Sequence, residues 1–163
     1  MNYIGFDNGV SGTIGIITIE PEGIRKTHFF KTPVFKEQNY TKKKAMITRI
    51  DFNKLLEVLQ PFYKNSFVMM ERPMVNPTRH KATTSALRSL EASLNVLQLL
   101  DLPMIYVDSK EWQRQLLPKG SGDLKQASKD IGCRLFPEHK ELIIKHKDAD
   151  GLLIAEHCRR TIG

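Results

Sequence analysis

The stretch Tyr3-Ile4-Gly5-Phe6-Asp7, with the turn Asn8-Gly9-Val10-Ser11-Gly12 and the run Thr13 to Ile19 (TIGIITI), decides the fold. A short apolar run ends in an acid, a Gly-rich turn follows, and a β-branched run returns, which reads as strand, turn, strand. Pro21-Glu22-Gly23 turns the chain again, and Ile24 to Lys31 completes a meander of three strands. From Pro33 to Arg49 no clear period is visible. Asp51 then reads as an N-cap, with Phe52, Leu55, Leu56 and Leu59 at helical spacing up to Pro61. Phe67-Val68-Met69-Met70-Glu71 is a fourth strand, again closed by an acid, and Pro103 to Val107 is a fifth. Between them a long helix is predicted from about Thr83 to Leu100, with Leu87, Leu90, Leu94 and Leu97 on one face. That stripe reads as core first and as a partner interface second. A short helix from Ser109 containing Trp112, a helix from Leu124 to Leu135 and a last helix from Asp148 to Arg160 complete the chain.

The order β-β-β-α-β-α-β-α-α-α predicts an α/β fold. Its five-stranded mixed sheet has three antiparallel strands, then two parallel-joined ones, and is flanked by helices. The first and fourth strands should be neighbours, bringing Asp7 and Glu71 side by side at one end. With 163 residues and no repeat or linker, a single domain over 1–163 is expected.

Composition narrows the function classes. No apolar run approaches the ~20 residues that span a bilayer, so no membrane partner is expected. The opening residues lack the basic head and apolar stretch of a signal peptide, so a cytoplasmic protein is expected. Cys133 and Cys158 stand far apart without metal-ligand spacing, and read as inert thiols. Lys and Arg number 25 against 18 Asp and Glu, a formal net charge of +7. A polyanionic partner follows naturally, although many basic proteins bind none.

Chemistry rests on the acids. Phosphodiester hydrolysis commonly uses two divalent ions about 3.5–4 Å apart, one activating water and the other stabilising the leaving oxygen. Such hard cations prefer carboxylate oxygens. Asp7, Glu71, Asp148 and Asp150 can supply them if the last helix crosses near the ends of strands one and four. Each acid also has a plainer reading. Asp7 before Asn8-Gly9 suits a turn. Glu71 could pair with Arg72, and Asp148 could simply cap a helix. Glu71, after four apolar residues, is nevertheless harder to dismiss, because a buried unpaired carboxylate is costly and needs a partner or a metal, and Asp150 stands beside the apolar run Leu152-Leu153-Ile154.

Four stretches now stand in series: Ile4-Gly5-Phe6-Asp7 with its turn, Met69-Met70-Glu71-Arg72-Pro73, Val107-Asp108-Ser109-Lys110-Glu111-Trp112-Gln113, and Asp148 to Glu156 (DADGLLIAE). Together they resemble the RuvC-like Holliday junction resolvases, particularly the virus-encoded branch, in family order and over nearly the whole chain. The resemblance implies an RNase H-like fold, dependence on Mg²⁺ or Mn²⁺ and a homodimer. It also implies paired nicks in four-way junctions that leave 5′-phosphate and 3′-hydroxyl ends. A virus-encoded member would act in the host cytoplasm. The first-strand acid carries over to Asp7, the fourth-strand acid to Glu71 and the last-helix acid to Asp150. Functional basic residues carry over by position to Arg114 and Lys125. The family has a further acid three or four places before the last one, where this chain has Lys147 and His146. Asp148 is expected to take that role. His146 is the alternative, since four places before Asp150 it would share a face of a continuous helix.

For DNA, the 31–49 segment interleaves Lys31, Lys36, Lys42, Lys43, Lys44 and Arg49 with Phe35 and Tyr40. That mixture suits phosphate contact and stacking on unpaired bases, and equally a solvated loop. Arg79 and Lys81 lead into the long helix, whose positive end favours phosphate. Lys119 stands in a basic Gly-Ser loop ahead of Lys125. Three other classes compete. An actin-like sugar kinase needs two lobes, and the chain is too short. An RNase H would prefer RNA–DNA hybrid. A non-catalytic DNA-binding module would leave the acids without a common site.

Overall fold

In a computed structural model, which describes residues 1–146 and 148–163, the chain forms a five-stranded sheet with helices on both faces. β1 (Asn2–Phe6), β2 (Thr13–Ile19) and β3 (Arg25–Lys31) make the antiparallel meander. β6 (Ser66–Glu71) lies parallel beside β1, and β7 (Met104–Val107) lies parallel beside β6, giving the order β3-β2-β1-β6-β7.

Alternation along the strands assigns the two faces. Ile4, Phe6, Ile14, Ile16, Val68 and Met70 pack against α1 (Phe52–Leu59) and α2 (His80–Leu99) through Leu55, Leu59, Val96 and Leu97. Tyr3, Ile17 and Met69 face the other layer: α3 (Ser109–Leu116), α4 (Leu124–Leu135), α5 (Lys140–His146) and α6 (Asp150–Ile162). Phe6 is opposite Met70 in register, so Asp7 and Glu71 follow at matching positions and belong to the α3–α6 side. No described helix is long and apolar enough to cross a membrane. Both cysteines are free, Cys158 buried and Cys133 half-buried.

Three sequence expectations need correction. Residues 33–49 are regular: β4 (Val34–Gln38) and β5 (Met46–Ile50) form a separate antiparallel hairpin. Only Ile50 in these strands is buried, so the hairpin has no apolar alternation to reveal it. Its strands are joined by the antiparallel backbone ladder, across which Arg49 reaches Glu37 at 2.6 Å and lies over the Phe35 ring at 5.8 Å. The buried face of α2 is Ser89, Ser93, Val96 and Leu97 with Leu90 packed beside it, so Leu90 and Leu97 of the expected stripe face the core while Leu87 is 40% exposed. Finally, α5 is an additional helix, and α6 begins at Asp150 rather than Asp148. Lys147, between them, lies outside the described residues.

Candidate active site

Close approach of α6 to the sheet builds the site. Gly5 and Gly15 are register partners on β1 and β2. A Cβ on Gly5 would lie 2.2 Å from the Ala155 amide nitrogen, and one on Gly15 2.4 Å from the Leu152 Cα. Both positions therefore require glycine, and the backbone of α6 rests directly on the strands. Its first turn is tied down by Thr13, whose Oγ1 accepts the Gly151 N–H at 3.0 Å. This docking carries Asp150, at the start of α6, to the end of β1 where Asp7 stands.

One carboxylate oxygen from each of Asp7, Asp148 and Asp150 lies within 4.8 Å of the other two, the one such grouping among the described residues. Glu71 is near enough to act electrostatically on Asp7 and Asp150. Burial, followed by repulsion from Asp150, Glu71 and Asp148, holds the Asp7 carboxyl well above the usual carboxylate range, with Lys125 opposing. Asp150 is pushed up to about 6, chiefly by burial and then by Asp148 and Glu71, although a hydrogen bond from Ser128 opposes the rise. Burial also raises Asp148 and Glu71.

Neutral donors hold two of these acids. The Trp112 indole N–H donates to Glu71 Oε2 at 2.7 Å. Ser128 Oγ donates to Asp150 Oδ1 and accepts the Ala149 N–H at 3.1 Å. Arg72, the residue beside Glu71, pairs instead with Asp108 at 2.9 Å. The donor set is all oxygen, negatively charged and partly removed from water, and its members repel one another. Those are the properties of a site for one or more hard divalent cations.

His146 lies outside the three-carboxylate grouping, although it and Asp148 are near enough to act electrostatically on each other. It ends α5, and its ring stands edge-on to Phe29 at 5.7 Å between centroids. The break between α5 and α6 removes the continuous helix that would have put His146 and Asp150 on one face. Asp148 is buried and lies within the group.

The basic residues are spread more widely. Lys125, in the first turn of α4, acts electrostatically on Asp7, Asp148 and Asp150. Arg114 lines a hollow of about 580 Å³ with Glu71, Arg72 and Lys110. It also lines a smaller one, about 290 Å³, with Lys119. Arg79 shares a hollow of about 220 Å³ with Asn8 and Glu71. Lys81 is exposed in the first turn of α2. Lys42, Lys43 and Lys44 are exposed in the loop joining β4 to β5. Beside them, Tyr40 packs on Arg88, with the guanidinium 5.9 Å from the ring centre. Sequence reading did not single out Ser128, Thr13 or the hydrogen-bonding role of Trp112. No local pattern distinguishes that serine from any other, because its partner is 22 residues away.

The five-stranded mixed sheet flanked by helices is an α/β fold of RNase H-like architecture. No protein-family model matches the chain, and no curated protein matches it significantly. Among solved structures it is similar to Thermus thermophilus RuvC in complex with Holliday junction substrate, with a TM-score of 0.58 at 13% identity over 99% of this chain and 97% of that one. A second structure, Thermus thermophilus RuvC, gives a TM-score of 0.54 at 15% identity, covering 98% and 96% of the two chains. At such identities the likeness establishes the shared fold.

Proposed function

We propose that the chain is a metal-dependent endonuclease that resolves four-way DNA junctions and related branched DNA by paired phosphodiester hydrolysis. The observation that carries this reading is the convergence of Asp7, Asp148 and Asp150, with Glu71 adjoining, at the end of a RuvC-like sheet. Divalent cations, Mg²⁺ or Mn²⁺, when bound in a pair, supply activation of water and neutralise charge on the leaving oxygen. Asp7, Asp148 and Asp150 would hold them, and Glu71 would complete the set. Lys125 stands beside these acids, where its ammonium would meet the scissile phosphate and steady charge developing on it. Arg79, Arg114 and Lys119, in hollows next to Glu71 or one another, would position the DNA backbone. Lys42, Lys43, Lys44 and Lys81 would extend that grip. One domain acts per chain, and a two-fold homodimer would set two such sites against a two-fold junction, giving symmetric nicks. The expected compartment is the cytoplasm.

The test is incision of a synthetic four-way junction with Mg²⁺, beside a matched RNA–DNA hybrid. The wild type should nick the junction on opposed strands and fall silent in chelator. Asp7→Asn and Glu71→Gln should still fold and bind the junction but not cut it. Preferential cutting of the hybrid would move the protein to the RNase H class. Normal junction cutting by either variant would remove the acids from the mechanism.

A further inference from the structure

Trp112 is the single tryptophan of the chain and is 1% exposed. Its place follows from the sheet. Val107 on β7 is the register partner of Glu71 on β6. α3 starts two residues after Val107, and its first turn returns the side chain of residue 112 over that same sheet end. The ring lies in the core with Met69, Val107, Ile131 and Leu153. An indole N–H is donor only and needs a partner when buried. Here the partner is Glu71 Oε2, at 2.7 Å.

The alternative donor was one residue away. Arg72, by strand alternation, turns to the opposite face, where it bonds Asp108 at 2.9 Å and lies over the Tyr106 ring at 5.2 Å. The difference has a chemical consequence. A guanidinium would orient the carboxylate and also cancel the negative charge that a cation needs. An indole orients it and leaves the charge in place.

We propose that Trp112 is a positioning residue whose N–H fixes Glu71 Oε2 and leaves Oε1 as the oxygen offered to a divalent cation, an inference that rests on the nuclease reading above. Metal-ligating groups are commonly oriented by such partners, and losing one typically lowers metal affinity or activity ~10–100-fold. The rigid, buried ring supplies the orientation without side-chain motion.

Because tryptophan occurs once, replacing it biosynthetically with 3-benzothienylalanine alters position 112 alone. Sulfur then stands where the N–H was, at nearly unchanged shape. The modified protein should melt near the wild-type temperature, while calorimetry should show Mg²⁺ binding weakened by ~10-fold or more. The kcat for junction incision should fall comparably, with the KM for junction within about twofold. Mg²⁺ affinity and kcat both within twofold of wild type would reduce Trp112 to a core residue and overturn the proposal. In the wild type, the single indole N–H resonance of ¹⁵N-labelled protein should move upfield in Glu71→Ala. An unmoved signal would show that the hydrogen bond is absent, and would also overturn it. A wild type that neither binds Mg²⁺ nor cuts a junction removes the nuclease reading itself, and this proposal with it, whatever the analogue does.

Discussion

Replacing Asp150 with Asn should stabilise the metal-free protein and destroy its use for cations. Asp150 is raised from 3.8 to about 6, burial being the largest cause and the neighbouring carboxylates adding to it. About two units, at ~1.4 kcal/mol each, make its ionised form less stable in the fold by ~3 kcal/mol. Below pH 3.8 the residue is protonated in both folded and unfolded chains, so it contributes no pH dependence there. Between 3.8 and about 6 the unfolded chain has released its proton while the folded chain retains it, so stability falls as pH rises. Above about 6 the full destabilisation persists. An Asn side chain carries no charge and can still accept the Ser128 hydroxyl. Urea unfolding in chelator at pH 7.5 should therefore show Asp150→Asn more stable by ~3 kcal/mol, with the gain vanishing near pH 3.5. Added Mg²⁺ at about 100 times its Kd should stabilise the wild type by ~2.7 kcal/mol and the variant hardly at all. A variant no more stable than wild type at pH 7.5, or equally stabilised at both pH values, would refute the reasoning.

Other perturbations probe other links. Lys125→Ala should lower the single-turnover incision rate by ~10²-fold or more, and an unchanged rate would remove Lys125 from the site. A Cβ on Gly5 sits 2.2 Å from the Ala155 nitrogen, so ordinary contact at 3.4 Å demands about 1.2 Å of separation between α6 and β1. Gly5→Ala should accordingly lose ~10²-fold in incision and ~1–3 kcal/mol in stability, read by thermal melting and single-turnover kinetics. Combined Lys42→Ala, Lys43→Ala and Lys44→Ala should flatten the salt dependence of junction binding, by a slope of ~0.9 for each phosphate no longer neutralised. An unchanged slope would return that hairpin loop to solvent.

Asp7 and Glu71 were legible because strand periodicity assigns the face of a terminal residue and because β1 and β6 had to be neighbours. Asp150 was legible because the Leu152 to Ala155 run had to be buried, as it is. The β4–β5 hairpin was not, since it buries almost nothing on either face. The alternative between His146 and Asp148 turned on whether the last helix reaches back beyond Asp150, and its start at Asp150, after the non-helical residues 148 and 149, is a tertiary outcome with no glycine or proline to announce it. The bonds from Trp112 to Glu71 and from Ser128 to Asp150 join residues 41 and 22 positions apart. They depend on how α3 and α4 lie against the sheet, which local pattern does not specify.

The most direct measurement is anomalous diffraction from a crystal soaked in Mn²⁺. Manganese peaks should lie in contact with carboxylate oxygens of Asp7, Asp148 and Asp150, which already approach within 4.8 Å. Glu71 should be the fourth contributor, and a pair of ions should be ~3.5–4 Å apart. Manganese absent from these oxygens, or bound elsewhere through His146, would contradict the account.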